Sequence, residues 1–132
     1  MGALLMAVAT TFFDRLGAGD VPGALALTTP DFTWTVAGKP GQFGLAGVYD
    51  RDSYVAMLQR VGASLPAGPR VEVTSVTADQ DHEVIEAHVT AVSASGADYD
   101  NALVYVFDLD GGRIRAVREY LDTIHAAEIF VA

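Results

Sequence analysis

The sequence predicts an α+β domain in which helices pack on one side of an antiparallel sheet. Three helical segments occupy the first half of the chain, and strands separated by short turns fill the second half. The chain has 132 residues and a hydrophobic content of 51%, which suffices for one buried core. We therefore expect a single domain that spans residues 1–132.

The helices are predicted from apolar spacing and from capping residues. The first helix carries apolar residues at intervals of three to four, which are Leu5, Val8, Phe12 and Leu16. It should end at Gly17, and Asp20 is placed to cap a second, short helix that ends near Pro30. A third helix is expected over residues 50–62. Its inward face should consist of Tyr54, Met57, Leu58 and Val61.

The strands are predicted from alternating runs bounded by turn residues. A first strand is expected over residues 31–36, and the Gly- and Pro-rich loop over residues 38–47 should cover an opening in the fold. Four further strands, joined by hairpin turns, are expected over residues 70–78, 83–92, 97–109 and 113–121. A helical turn over residues 126–130 should close the chain, with Asp122 or Thr123 as its cap.

Composition and charge exclude several classes of partner. The net charge of −9 and the lack of any Lys/Arg run argue against nucleic acids and anionic membranes. The chain has no cysteine, which excludes thiol nucleophiles and suits a reducing cytoplasm. No Lys or Arg precedes the apolar stretch over residues 3–9, so a helix is favoured there over a signal peptide. We expect a soluble, cytoplasmic protein.

One ionisable residue lies where the strand pattern calls for an apolar one. Period-2 geometry puts Glu119 on the same strand face as Val117 and Leu121. A carboxylate between two aliphatic side chains must be paired, protonated or line a cavity, because burying a bare charge is costly. We therefore predict that Glu119 faces a pocket and that burial raises its proton affinity.

The same alternation groups polar and aromatic residues from neighbouring strands. We assign Glu86 and His88 to the face that carries Glu119. That face would also present Trp34, Tyr99, Asn101 and Tyr105. The opposite, aliphatic face would carry Ala87, Val89, Val104 and Val106 and form a homodimer interface. Two alternatives remain open: Glu86 and His88 could be an exposed charge pair on an outer face, and the tyrosines could be ordinary core aromatics.

These groups would suit proton transfer next to a carbonyl group. His88, with an unperturbed pKa of about 6.5, could give or take a proton at neutral pH, and Glu86 could orient it. Glu119 would serve as a second acid or base. The aromatic side chains would bind a ring system, while the tyrosine hydroxyls or Asn101 would hold a carbonyl oxygen.

Motifs for other chemistries are weak. A metal site made of Glu86, His88 and Glu119 would contain one histidine, whereas open iron sites use two. No G-x-S-x-G motif of a serine nucleophile occurs in the sequence. We expect neither a metal nor a cofactor.

Several segments carry a resemblance to a known superfamily. They are Phe13-Asp14-Arg15-Leu16, Gly19-Asp20, Pro30-Asp31-Phe32-Thr33-Trp34, Gly47-Val48-Tyr49 and the tail from Tyr99 to Thr123. In them the chain resembles the superfamily that includes nuclear transport factor 2, ketosteroid isomerase, limonene epoxide hydrolase and the SnoaL-like polyketide cyclases. The SnoaL-like branch is the most similar. The resemblance implies a cone-shaped fold, with about three helices packed on a strongly curved antiparallel sheet that encloses a hydrophobic pocket, and a homodimer formed through the outer side of the sheet.

The catalytic residues of the superfamily carry over only in part. The positions of the catalytic groups of the steroid isomerases hold Phe12, Val36 and Leu103. The epoxide hydrolases use an arginine and two aspartates, and these positions hold Glu86, His88 and Glu119 in this chain. Only Glu119 keeps a carboxylate where those enzymes have an aspartate. The resemblance therefore implies that neither reaction transfers intact.

The resulting expectation is cofactor-independent acid–base catalysis on a polyketide- or steroid-like molecule, by aldol-type cyclisation, isomerisation or dehydration. The catalytic candidates are His88, Glu119 and Glu86. The substrate-binding candidates are Trp34, Val36, Tyr99, Asn101, Leu103 and Tyr105. The alternatives are water addition like that of an epoxide hydrolase, and a binding module without turnover.

Overall fold

The predicted α+β class is confirmed by the computed structural model, which describes residues 7–130. Over these residues the helices are α1 (Val8–Gly17), α2 (Val21–Leu25), α3 (Arg51–Ser64) and α4 (Thr123–Ile129). The strands are β1 (Thr28–Val36), β2 (Gly47–Tyr49), β3 (Arg70–Ala78), β4 (His82–Val92), β5 (Asp98–Asp110) and β6 (Arg113–Tyr120). Leu5, which we placed on the first helix, lies outside the described residues. No helix in the described range is long and apolar enough to cross a membrane.

The six strands form one open sheet in the order β2-β1-β6-β5-β4-β3. Neighbouring strands are antiparallel except β1 and β6, which pair in parallel. Strand β6 is the last strand of the meander that begins with β3, and it lies along the edge of β1 that β2 does not cover. The antiparallel sheet that we expected is thus mixed. The sequence analysis also missed β2, whose three residues lie at the end of a Gly-rich loop.

Helix ends are stabilised by carboxylates. Asp20, Asp50 and Asp122 each accept a backbone N–H at the start of α2, α3 and α4, respectively. No cap residue of α1 itself does so. Instead, the buried Glu83 on β4 accepts the amides of Val8 at 3.2 Å and Ala9 at 2.8 Å, which ties α1 to the sheet.

The two faces of the sheet follow from strand register. Leu103 pairs with Ala87, and Tyr105 pairs with Ile85 on one side and Glu119 on the other, so these residues share a face. This inner face packs toward the helices and is mostly buried. The outer face carries the alternate residues, including Glu86, His88, Val104 and Val106.

The face predicted for β4 is therefore wrong. Glu86 and His88 lie on the outer face, and Ala87 and Val89 lie on the inner face. The physical reason is simple burial: the aliphatic set of β4 packs in the core, and its polar set remains in water. The predicted aliphatic outer face keeps only Val104 and Val106 of its four members.

Candidate functional site

A cavity of about 870 Å³ lies between the inner face of the sheet and helices α1 and α3. Its apolar wall includes Val36, Leu45, Met57, Leu103, Leu121 and Phe130. The loop that we expected to cover an opening contributes Leu45, and Phe130 follows α4 directly. The sheet face, the two helices and the segments around Leu45 and Phe130 therefore border a space lined mainly by hydrocarbon side chains.

Glu119 is the ionisable group that the sequence analysis placed in this pocket. Its backbone is held between β1 and β5, where it pairs with Val36 and Tyr105. Its Oε1 accepts a hydrogen bond from Trp34 Nε1 at 3.0 Å, whereas Oε2 has no hydrogen-bond partner within residues 7–130. The side chain lines the cavity. Trp34 thus fixes one oxygen of the carboxylate and leaves the other for a ligand.

Burial raises the pKa of Glu119 to about 7, against the smaller, opposing effect of the Trp34 hydrogen bond. The apolar wall disfavours the charged form, and a single donor stabilises it only in part. This direction agrees with the rise in proton affinity that the sequence predicts. At neutral pH the group therefore populates both the acid and the base form.

Three tyrosines border the same cavity. Tyr99 and Tyr105 project from β5 and were predicted, whereas Tyr54 comes from α3 and was predicted only as an inward residue. Tyr54 stacks on Trp34 with ring centroids 4.7 Å apart. Helical spacing distinguishes inward from outward positions but cannot separate a core aromatic from a pocket wall, so the sequence held no signal for this role.

Burial also raises the pKa of each tyrosine. That of Tyr99 rises to about 12, although the hydrogen bond from Asn101 opposes the rise. Those of Tyr54 and Tyr105 lie well above the ordinary value, with the charge of Glu119 as the second cause. All three hydroxyls therefore remain protonated at neutral pH.

Asn101 lies behind the wall and does not line the cavity, contrary to its predicted contact with substrate. Its Nδ2 donates to the Tyr99 hydroxyl at 3.0 Å and to the backbone oxygen of Asp122 at 3.1 Å. Its Oδ1 accepts the amide of Asp122 at 3.0 Å. With every amide atom engaged, Asn101 joins β5 to the start of α4 and orients Tyr99.

His88 and Glu86 lie on the opposite side of the sheet from the cavity. His88 Nε2 pairs with Asp100 on β5, and Glu86 is exposed. The sheet separates both side chains from Glu119, so the predicted convergence of these three groups is wrong. The proposed metal alternative that used the same three residues fails for the same reason.

Of the predicted residues, the structure brings Trp34, Val36, Tyr99, Leu103, Tyr105 and Glu119 together around one cavity. Glu119 supplies one oxygen that can exchange a proton, and mostly apolar side chains surround it. Such a site can bind a hydrophobic molecule and move a proton on it.

Comparisons of the sequence and the fold with known proteins identify the family of the chain. Residues 9–117 match the sequence model of the SnoaL-like domain. Among solved structures, an NTF2-like protein of unknown function from Burkholderia pseudomallei is 21% identical, with a TM-score of 0.83 over 95% of each chain. No curated protein sequence matches the chain significantly.

Two further structures are similar over most of their length. A putative SnoaL-like polyketide cyclase from Jannaschia sp. CCS1 is 20% identical, with a TM-score of 0.75 over 100% of this chain and 97% of that one. TerC, co-crystallised with polyporic acid, is also 20% identical, with a TM-score of 0.81 over 92% and 94%. These likenesses show the NTF2-like fold. Because the family model matches most of the sequence, the chain belongs to the SnoaL-like domain family.

Proposed function

We propose that this protein is a cofactor-independent enzyme that moves a proton on a hydrophobic, oxygen-bearing ring compound, with Glu119 as its acid–base group. The observation that carries the proposal is the free Oε2 of Glu119 in an apolar cavity, on a carboxyl whose pKa is about 7. A general base works best when its pKa lies near the operating pH. The reaction class would be isomerisation, dehydration or aldol-type cyclisation.

The chemistry follows from the position of this oxygen. Glu119 Oε2 takes a proton from a carbon next to a carbonyl group, and the electron pair of the C–H bond moves into the enolate. The protonated carboxyl then returns the proton to the same or another atom. Trp34 keeps the carboxyl group in one orientation throughout, because its Nε1 stays bonded to Oε1.

The compound class is supported by the cavity and by two relatives. A volume of about 870 Å³ with aromatic walls accommodates several fused rings. One structural neighbour is described as a putative polyketide cyclase, and another was crystallised with polyporic acid. We extend that class of ligand to this chain as part of the proposal.

The test measures by NMR how fast the α-hydrogens of 2-tetralone exchange for deuterium in D₂O. The wild-type protein should accelerate exchange, with a rate that rises with pH and is half-maximal near pH 7, because the base must be ionised. Glu119→Gln should lower the protein-dependent rate by about 10²–10⁴-fold.

His88→Ala is the matched control, because its ring lies on the outer face and should leave the rate unchanged. Equal rates for the wild type and Glu119→Gln would reject the proposal. If the rates were equal and 2-tetralone still bound to the wild-type protein, the protein would be a binding module without turnover.

We also propose that two copies of the chain associate through the outer face of β4–β6. Val104 and Val106 are half-buried there, and Tyr120 on β6 is exposed beside them. Val104→Lys would place a charge in the centre of that face and should shift the mass measured by light scattering at micromolar concentration from two chains to one.

Ile124→Lys, at an exposed side chain of α4, is the control for the change in charge and should leave the mass at two chains. A wild-type mass of one chain would exclude the dimer.

A further inference from the structure

Two hydroxyls on the cavity wall have no hydrogen-bond partner within residues 7–130. They belong to Tyr54 and Tyr105, whose residues are only 1% and 6% exposed. No wholly enclosed side-chain nitrogen or oxygen in the described range lacks a partner. The two hydroxyls must therefore touch the cavity, which both residues line.

The hydroxyls of the other two buried tyrosines, by contrast, each have a hydrogen-bond partner. The Tyr49 hydroxyl donates to the backbone oxygen of Leu45 at 2.7 Å, and the Tyr99 hydroxyl accepts from Asn101 at 3.0 Å. Buried hydroxyls are paired in this way because an unpaired one gives up its bond to water and gains nothing in return. Tyr54 and Tyr105 are the exceptions, and both open on the same space.

The two side chains are also held in one place relative to Glu119. Trp34, which donates to Glu119, has its ring centroid 4.7 Å from that of Tyr54 and 5.9 Å from that of Tyr105. Tyr105 pairs with Glu119 across β5 and β6. Burial raises the pKa of both phenols, so they act as donors throughout the neutral range.

We propose that the hydroxyls of Tyr54 and Tyr105 donate hydrogen bonds to a ligand oxygen, so that the pocket selects cyclic ketones over hydrocarbons of the same shape. The inference rests on the proposed function for the location of the ligand beside Glu119, but it concerns binding and needs no turnover. When Glu119 removes a proton from the neighbouring carbon, these donors would also stabilise the negative charge that forms on the carbonyl oxygen.

The experiment compares the binding of 2-tetralone with that of tetralin, which has the same ring system without the carbonyl oxygen. Trp34 is the only tryptophan of the chain and lines the pocket, so its fluorescence reports binding of both probes. The readout is the ratio of the two dissociation constants in each variant. Tyr54→Phe and Tyr105→Phe should each lower the preference for the ketone about fivefold, and the double variant should lower it further.

Tyr120→Phe removes a hydroxyl from the outer face of the sheet, on the side opposite the cavity, and should keep the wild-type preference. An unchanged ratio in both single variants would overturn the inference, and because each variant is measured alone, the result does not depend on the double variant folding. Glu119→Gln should retain the preference. A protein that prefers the ketone but does not exchange its protons would therefore reject the proposed function alone, whereas exchange with an unaltered ratio in the tyrosine variants would reject this inference alone.

Discussion

Phe12→Ala should lower the free energy of unfolding by about 3–5 kcal/mol, as large-to-small changes at fully buried aromatics do. Phe12 on α1 is 0% exposed. Its ring stacks on Trp34 with centroids 5.9 Å apart and meets the edge of Phe107 at 6.1 Å. Removing it leaves a cavity between helix and sheet that rigid aromatic neighbours cannot fill.

Urea denaturation followed by circular dichroism measures the effect. Ile124→Ala, at a side chain that is 82% exposed, should stay within about 0.5 kcal/mol of the wild type. A loss below about 1 kcal/mol in Phe12→Ala would show that the aromatic cluster repacks, and that Phe12 does not hold Trp34 in place.

The position of Phe12 also explains why the catalytic residues of the steroid isomerases could not be transferred. In the sequence comparison, Phe12 stands where those enzymes have a tyrosine, and the structure buries it among aromatic rings without contact to the cavity. The hydroxyls on the cavity wall come instead from Tyr54 on α3 and Tyr105 on β5. Under the proposal made above, the donors would therefore be supplied by different elements of the fold.

Local patterns in the sequence were sufficient for most elements of the fold. The predicted range of β3 agrees with the structure, and Asp20 and Asp122 cap the helices that they were expected to cap. In each case the signal is contained in a few neighbouring residues: a β-branched run between turns, or a carboxylate before a helix. The short β2 gave no such signal, since three residues are too few for a pattern to stand out from a glycine-rich loop.

The candidate site was predicted less completely, because it depends on which strand face meets the helices. Glu119 was identifiable because its own strand neighbours, Val117 and Leu121, are apolar. On β4, period-2 spacing separates His88 from Val89 but does not say which of them is buried. The register with β5 settles the question, and register is a tertiary property that a single strand does not encode.

Glu119→Gln should raise the free energy of unfolding by up to about 3 kcal/mol at pH 8, and by less than about 1 kcal/mol at pH 5. In the folded protein, burial raises the pKa of Glu119 from 4.5 to about 7. The unfolded chain therefore releases this proton more readily, and the wild type loses stability as pH rises from the unfolded pKa to the folded one. Above about pH 7 the loss is complete, because the carboxylate is ionised in both states.

Glutamine mimics the protonated acid at every pH, so the variant escapes this loss while Trp34 keeps an oxygen to bond. Denaturant unfolding at the two pH values measures the effect, and Glu86→Gln on the exposed outer face should change stability by less than about 0.5 kcal/mol at either pH. A stabilisation that did not grow between pH 5 and pH 8 would show that Glu119 is not a desolvated carboxylate. If Glu119→Gln is more stable than the wild type but no longer accelerates proton exchange, the wild type is less stable because it keeps an ionisable group in an apolar pocket. This is the result expected for a group that is retained for chemistry rather than for folding.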